Sequence, residues 1–294
     1  MHDYMMPEMD GMQFIRKFRF MPGQERIPVL MVTANDQKDI RYEALENGAS
    51  DFLNKPIDRI EFSARVRNML QLRSAQKQLA DRAMHLMVMV EEQTQEIRGR
   101  EQELIYRLSR AAEFRDPDTG AHIKRMARYS QLIAERLNLD KGFQKLVLEA
   151  APLHDVGKIG IQDYILLKPG KLTDEEFEIM KSHSSLGYEL LKDSASEVLM
   201  AGAEIALHHH EKFDGSGYPG HLSGESIPIL GRIVAVADVF DALTSVRPYK
   251  SAWSMEDARQ NLEDGSGKHF DPLCVDAFLS GWDEVFNIRR QFED

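Results

Sequence analysis

His122, the pair His154-Asp155, His183, the run His208-His209-His210 and Asp238 are spread through the C-terminal two-thirds of this 294-residue chain. Neutral imidazoles and carboxylates bind borderline divalent metals, and one ion takes only three or four of them. These residues are more than a single ion can use, so the pattern points to a polynuclear centre. Such centres activate water against phosphate esters. Context separates the pattern from coincidence. His154-Asp155 follows the apolar run Ala150-Ala151-Pro152-Leu153, and Asp238 follows Ile233-Val234-Ala235-Val236-Ala237. A charged group in a segment that otherwise seeks burial is costly unless it is paired or metal-bound.

Composition narrows what such a centre would act on. The net charge of −11 argues against a binder of polymeric nucleic acid, which needs a basic surface. An anionic substrate must then be held by the metals and a few placed bases, for which Lys158, Arg247 and Lys250 are the candidates. The single cysteine, Cys274, excludes a thiolate-rich metal site and an intrachain disulfide framework. No stretch reaches transmembrane length and no secretory or lipidation signal is present, so no membrane association and a cytoplasmic location are expected.

Three segments must position these residues. Residues 1–68 read as α/β, with Ile27-Pro28-Val29-Leu30-Met31-Val32-Thr33 as a short buried parallel strand. Residues 69–112 turn to Gln, Glu, Arg and Leu without proline. Here Leu72, Leu79 and Leu86 form one heptad row, and Ala83, Val90, Ile97, Leu104 and Ala111 another. Two interleaved rows predict a coiled-coil linker helix and a parallel homodimer, weakened in its second half by Gln93, Arg100 and Arg107. Residues 113–294 read as mostly helix, interrupted by the Gly- and Pro-rich loop Asp214-Gly215-Ser216-Gly217-Tyr218-Pro219-Gly220. Asp238 and Asp241 stand three apart on one helix face. Asp241 is expected to orient a ligating histidine rather than to bind metal.

Several separated motifs resemble the HD-GYP subfamily of the HD phosphohydrolases. His154-Asp155 matches the dyad, and His209 through Pro219 matches the subfamily signature. Asp118-Thr119-Gly120-Ala121-His122, Lys168 through Thr173 and Ala237 through Ser245 agree with the flanking segments. The resemblance implies an all-helical metallohydrolase domain that hydrolyses a cyclic dinucleotide. Cyclic di-GMP is the expected substrate, with pGpG, GMP or both as products. It implies two divalent ions, iron or manganese, with nickel and zinc as alternatives. His122, His154, Asp155 and Asp238 would serve one ion, His183, His209 and His210 the other. Asp155 would bridge, Lys158 would neutralise a phosphoryl oxygen, Tyr218 would shape the nucleotide pocket, and Arg247 and Lys250 would meet the second phosphate or a guanine edge. His208 is expected to face solvent and Glu211 to support the site. In three-metal relatives the acid four residues before the first ligating histidine is glutamate. Here it is the shorter Asp118, so a two-metal centre is expected. A binding module with little turnover is the alternative reading, and a mononucleotide phosphohydrolase is a third.

The first segment resembles response-regulator receivers. Asp3 with Met6-Pro7 and Met9-Asp10-Gly11 matches the phosphoacceptor loop, while Thr33-Ala34, Phe52 and Lys55-Pro56 match the hydroxyl, aromatic and lysine positions. A receiver carries a strand, a helix and a second strand before this aspartate, together with an acidic pair that holds magnesium. Asp3 is here the third residue. A truncated receiver, inactive as a phosphoacceptor, is therefore expected. The fold class expected for the whole chain is mainly α, with a partial α/β receiver segment and a long helix ahead of the helical domain.

Overall fold

The computed structural model describes residues 2–3, 9–34, 38–113, 120–245 and 252–293. It divides into two compact units, residues 1–96 and 97–294.

The first unit is built on a parallel sheet in the order β1 (His2–Asp3), β2 (Leu30–Thr33), β3 (Asp51–Asn54). Alternate residues of a strand face opposite sides, and both faces here are covered. Val29 and Met31 pack with Met12 and Ile15 of α1 (Gly11–Arg19) and Ala44 of α2 (Lys38–Glu46). Leu30, Val32 and Leu53 meet Phe62, Val66 and Met69 at the start of α3 (Arg59–Glu113). These three recur at helical spacing, which turns one stripe of α3 to the sheet. Asp10 caps α1 through Gln13 N at 2.8 Å, and the Asp58 carboxylate accepts from Glu61 N at 2.8 Å. The strand expected over residues 27–33 is confined to Leu30–Thr33. Pro28 has no N–H to give a ladder, and the Val29 N–H donates to the Ser50 hydroxyl instead of a backbone carbonyl. Asp3 ends β1, with its backbone opposite Val32.

The helix α3 runs unbroken for 55 residues. Both heptad rows lie open along its middle, with Leu72, Leu79, Val90, Ile97 and Leu104 all more than 60% exposed. Its last turns belong to the second unit. Ile105, Ser109, Ala112 and Glu113 are buried there, with Ile105 and Ala112 in one cluster with Leu153, Val156, Leu191 and Ala203.

The second unit is helical among its described residues. α4 (Gly120–Arg136) and α5 (Lys141–Ala150) pack on α8 (Glu197–His208) and α9 (Ile229–Thr244). Between them in sequence come α6 (Asp163–Leu166) and α7 (Asp174–Leu191), and α10 (Met255–Gly265), α11 (Pro272–Ser280) and α12 (Trp282–Gln291) close the unit. Thr173 starts α7 with a reciprocal capping box to Glu176, and three acids in its first turn suit the positive end of the helix dipole. The core is centred on Tyr129, Phe240, Phe278 and Trp282, whose rings meet edge to face. Each such pair adds about 0.5–1.5 kcal/mol beyond area burial. That core fixes α4 against α9, and with them the residues the two helices carry to the centre. No helix among the described residues is long and apolar enough to cross a membrane.

Candidate metal centre

His154-Asp155 lies where the chain leaves α5. Pro152 sits in the 3-10 turn Ala151–Leu153, and a second 3-10 segment, Val156–Gly160, follows at once. The dyad therefore sits in a tight turn between the two segments. Gly157 lets that turn lie directly on α7, because a Cβ there would stand 1.9 Å from the His183 carbonyl oxygen. No other residue fits without moving the backbone. This close approach brings Asp155 to His183, with Asp155 Oδ1 3.3 Å from His183 Nε2 and 3.6 Å from His209 Nε2. Its other oxygen, Oδ2, lies 3.2 Å from His154 Nε2 and 2.7 Å from Lys158 Nζ.

Two donor groups thus face one carboxylate. Asp155, His183, His209 and His210 offer ligand atoms all within 4.8 Å of one another, and Glu113, His122 and His154 form a second set on the same criterion. Asp238 Oδ1 is 3.8 Å from both His122 Nε2 and His154 Nε2, joining the second set.

The outer ring nitrogens explain why the inner ones point inward. Nδ1 of His154 is 3.2 Å from the Ala151 carbonyl, and Nδ1 of His183 is 2.7 Å from that of Met180. Nδ1 of His209 is 3.0 Å from both Ile205 O and Ala206 O. A carbonyl only accepts, so Nδ1 carries the hydrogen and Nε2 keeps its lone pair. Nε2 of His154, His183 and His209, and Oδ1 of Asp155, are buried without a hydrogen-bond partner among the described residues. Orphaned acceptors aimed at one point are costly in a bare protein and suited to a cation. The donor set fits divalent metal.

His122 is held differently. Its Nδ1 is 2.7 Å from Asp241 Oδ2. Arg125 donates to both Asp241 oxygens, at 2.7 and 3.0 Å, and to the Phe292 carbonyl and Ser245 hydroxyl. Burial opposes ionisation of Asp241, yet the bonds from His122 and Arg125 outweigh it and hold the carboxyl down at about 2. Burial likewise opposes charge on His122, but the Asp241 contact lifts its imidazole to about 9, so a metal at Nε2 must displace a proton. His209 and His210 are pushed down by burial and stay neutral, the form that binds metal. Burial raises the Glu113 carboxyl to about 7.

Tyr218 reaches the centre from the glycine-rich loop. Its ring lies 4.8 Å from His210, and Lys181 Nζ stands 5.5 Å above it. Burial raises its hydroxyl, which stays protonated at neutral pH. Glu211, directly after His210, is buried. Its carboxylate accepts from Gly220 N at 2.6 Å and Leu222 N at 3.1 Å, fastening the loop. Gly217 makes that fastening sterically feasible, since a Cβ would come within 2.2 Å of Lys212 N. His208 belongs to neither donor group. It is half-buried with Nδ1 enclosed, rather than turned to solvent. Asp118, Arg247 and Lys250 lie outside the described residues, as do Met6 and Pro7.

Sequence reasoning missed Glu113 and Arg125. The signal for Arg125 was its place three residues after His122, on the same helix face. That for Glu113 was the stripe Ile105, Ser109, Ala112, which turns the end of α3 inward.

Two family models match, a response regulator receiver domain over residues 1–67 and an HD domain over residues 100–273. The chain belongs to the HD domain family. HD-domain phosphohydrolases are metal-dependent, in keeping with the buried donors. Similar proteins include the cyclic di-GMP phosphodiesterase response regulator RpfG of Xanthomonas campestris, 48% identical over 99% of this chain and 77% of that protein. A cyclic di-GMP phosphodiesterase of Thermotoga maritima is 41% identical over 99% of this chain and 81% of its own length. The 3'3'-cGAMP-specific phosphodiesterase 2 of Vibrio cholerae is 45% identical over 68% of this chain and 38% of that protein.

Proposed function

We propose that this HD domain protein is a metal-dependent phosphodiesterase that hydrolyses a cyclic dinucleotide, cyclic di-GMP first, to pGpG, GMP or both. The observation that carries the reading is Asp155, whose two oxygens face two separate sets of buried, inward-pointing donors. The relatives named for cyclic di-GMP and for 3'3'-cGAMP support the substrate class.

In this proposal His122, His154, Asp155 and Asp238 hold one divalent ion, and His183, His209, His210 and Asp155 hold a second. Iron or manganese is the expected metal, and nickel and zinc are also compatible with nitrogen-rich donors. When bound, such ions supply Lewis-acid activation of water and neutralise charge on the phosphoryl group. Lys158, 2.7 Å from Asp155, adds a fixed positive charge where a phosphate oxygen would enter. Tyr218 offers a ring face beside His210 for a base to stack on, and Arg247 and Lys250 are assigned to the far phosphate or a guanine edge. Asp241 keeps His122 in its ligating orientation. Asp118 remains outside the coordination of a two-metal centre.

We further propose that residues 69–112 pair in parallel with a second copy, because the heptad rows are exposed along a single chain. Charged residues at Leu79 and Leu86 should then dissociate the dimer in sedimentation experiments, and a wild-type monomer at micromolar concentration would refute the pairing. The proposal puts the enzyme in the cytoplasm, where the lone buried thiol Cys274 stays free.

Product analysis tests the activity. Metal-loaded protein is incubated with cyclic di-GMP, with 3'3'-cGAMP and with deoxynucleoside triphosphates. Linear or mononucleotide products from a cyclic dinucleotide alone are expected. Binding without turnover would favour a receptor, and hydrolysis of the triphosphates alone would favour a mononucleotide phosphohydrolase.

A further inference from the structure

Glu113 is the last residue of α3, and three circumstances make its position unfavourable in the absence of a cation. It is 4% exposed, and its Oε2 is fully enclosed without a hydrogen-bond partner among the described residues. No ion pair reaches it within 4 Å among those residues. It also stands at the C-terminal end of a 55-residue helix, where the backbone dipole repels an anion. A buried carboxylate in such a place either binds a cation or stays protonated at a cost.

Its neighbours decide between these. The ligand atoms of Glu113, His122 and His154 lie within 4.8 Å of one another. Three donors sharing one ion at about 2.0–2.2 Å stand roughly 3.3–3.8 Å apart, so closure by about an ångström brings all three to a common centre. His122 is already oriented by Asp241 and His154 by a backbone carbonyl, each through Nδ1, which leaves both Nε2 atoms available to an ion. Asp238 Oδ1, 3.8 Å from both rings, fills another side.

We infer that Glu113 is a ligand of the ion held by His122, His154 and Asp238, and that it ties the end of α3 to that ion. The inference rests on the two-metal reading above and adds to it a residue that none of the motifs contains. It gives α3 a second function. Because the ligand is the terminal residue of the long helix, metal binding must order the last turns of α3, and a displacement of those turns must change how tightly the ion is held.

The test compares wild type with Glu113→Gln, which keeps the volume and removes the charge. Metal-free protein is titrated with Mn2+ by calorimetry, and amide hydrogen exchange is followed with and without Mn2+. Wild type should bind two equivalents, and metal should slow exchange over residues 105–113, 151–158 and 205–210. In Glu113→Gln one equivalent should weaken at least tenfold. Slowing over 105–113 should be lost while that over 205–210 is retained. Unchanged affinity for both equivalents, with the same slowing over 105–113, would overturn the role given to Glu113. If wild type itself fails to bind two equivalents, the two-metal reading fails instead. Should Glu113→Gln not fold, Glu113→Asp must show the same selective weakening, because its shortened carboxylate falls short of the ion. Equal affinity in that variant counts against the proposal.

Discussion

The two halves of the donor cluster are built by different means. His183 and His209, and in the other half His154, are oriented by backbone carbonyls three or four residues earlier. His122 is oriented by a charged relay, with Asp241 clasped by Arg125 and Arg125 fastened to the Phe292 carbonyl near the end of the described chain. The carbonyl-held half is rich in imidazole and carries one shared carboxylate. The relay-held half gathers Asp238, Glu113 and the other oxygen of Asp155 around two imidazoles. Nitrogen-rich sites suit zinc, nickel and iron, while oxygen-rich ones suit manganese better. Orientation by backbone is indifferent to side-chain substitution, whereas orientation by a relay can be broken at any of its links. That contrast sorts the expected effects of mutation.

The shared residue should have the largest effect. Asp155→Ala removes the only donor common to both halves and should reduce cyclic-dinucleotide turnover by roughly a thousandfold or more, because unactivated water is far too weakly acidic at neutral pH. Turnover within tenfold of wild type would mean the halves work separately.

Arg125→Ala comes next. It leaves Asp241 buried with its main cationic partner gone, which should cost about 3–5 kcal/mol in denaturant unfolding of the metal-free protein. A change below about 1 kcal/mol would show that the relay is not carrying the charge.

Asp241→Asn is gentler. It preserves shape but deprives His122 of its anionic partner, and should weaken one of two metal equivalents by about 10–100-fold in a calorimetric titration. Weakening of both equivalents alike would erase the distinction between the halves. The smallest effect is expected from Tyr218→Phe. The ring that would stack on a base is kept, so KM should move by less than about threefold, measured under steady-state conditions.

Much of this cluster was legible in the sequence because its donors come in tight local patterns. His154-Asp155 interrupts an apolar run, His209-His210 adjoins a glycine-rich loop, and Asp238 and Asp241 share a helix face. Neutral imidazoles at such places announce a metal without any tertiary information. The receiver-like order of strand and helix was legible for the same local reason, though Pro28 shortened the strand. Glu113 was not, since it ends a helix whose polar, heptad-patterned sequence marks it as a connector. Only the packing of Ile105 and Ala112 with Leu153 and Leu191 reveals that the last turns of that connector enter the core. Arg125 hides similarly. A basic residue on a mostly polar stretch reads as surface charge until α9 is laid against it. Glu211, expected to support the site, staples the loop that carries Tyr218.

Activity measured against metal equivalents tests the central claim most directly. Metal-free protein is loaded stepwise with Mn2+, the bound metal is counted on each sample, and cyclic di-GMP hydrolysis is followed by product analysis. Hydrolysis should stay near background up to one equivalent, rise with the second, and level off at two per chain. Full activity at one equivalent, or none at two with the fold intact, would contradict the account of Asp155 joining two catalytic ions.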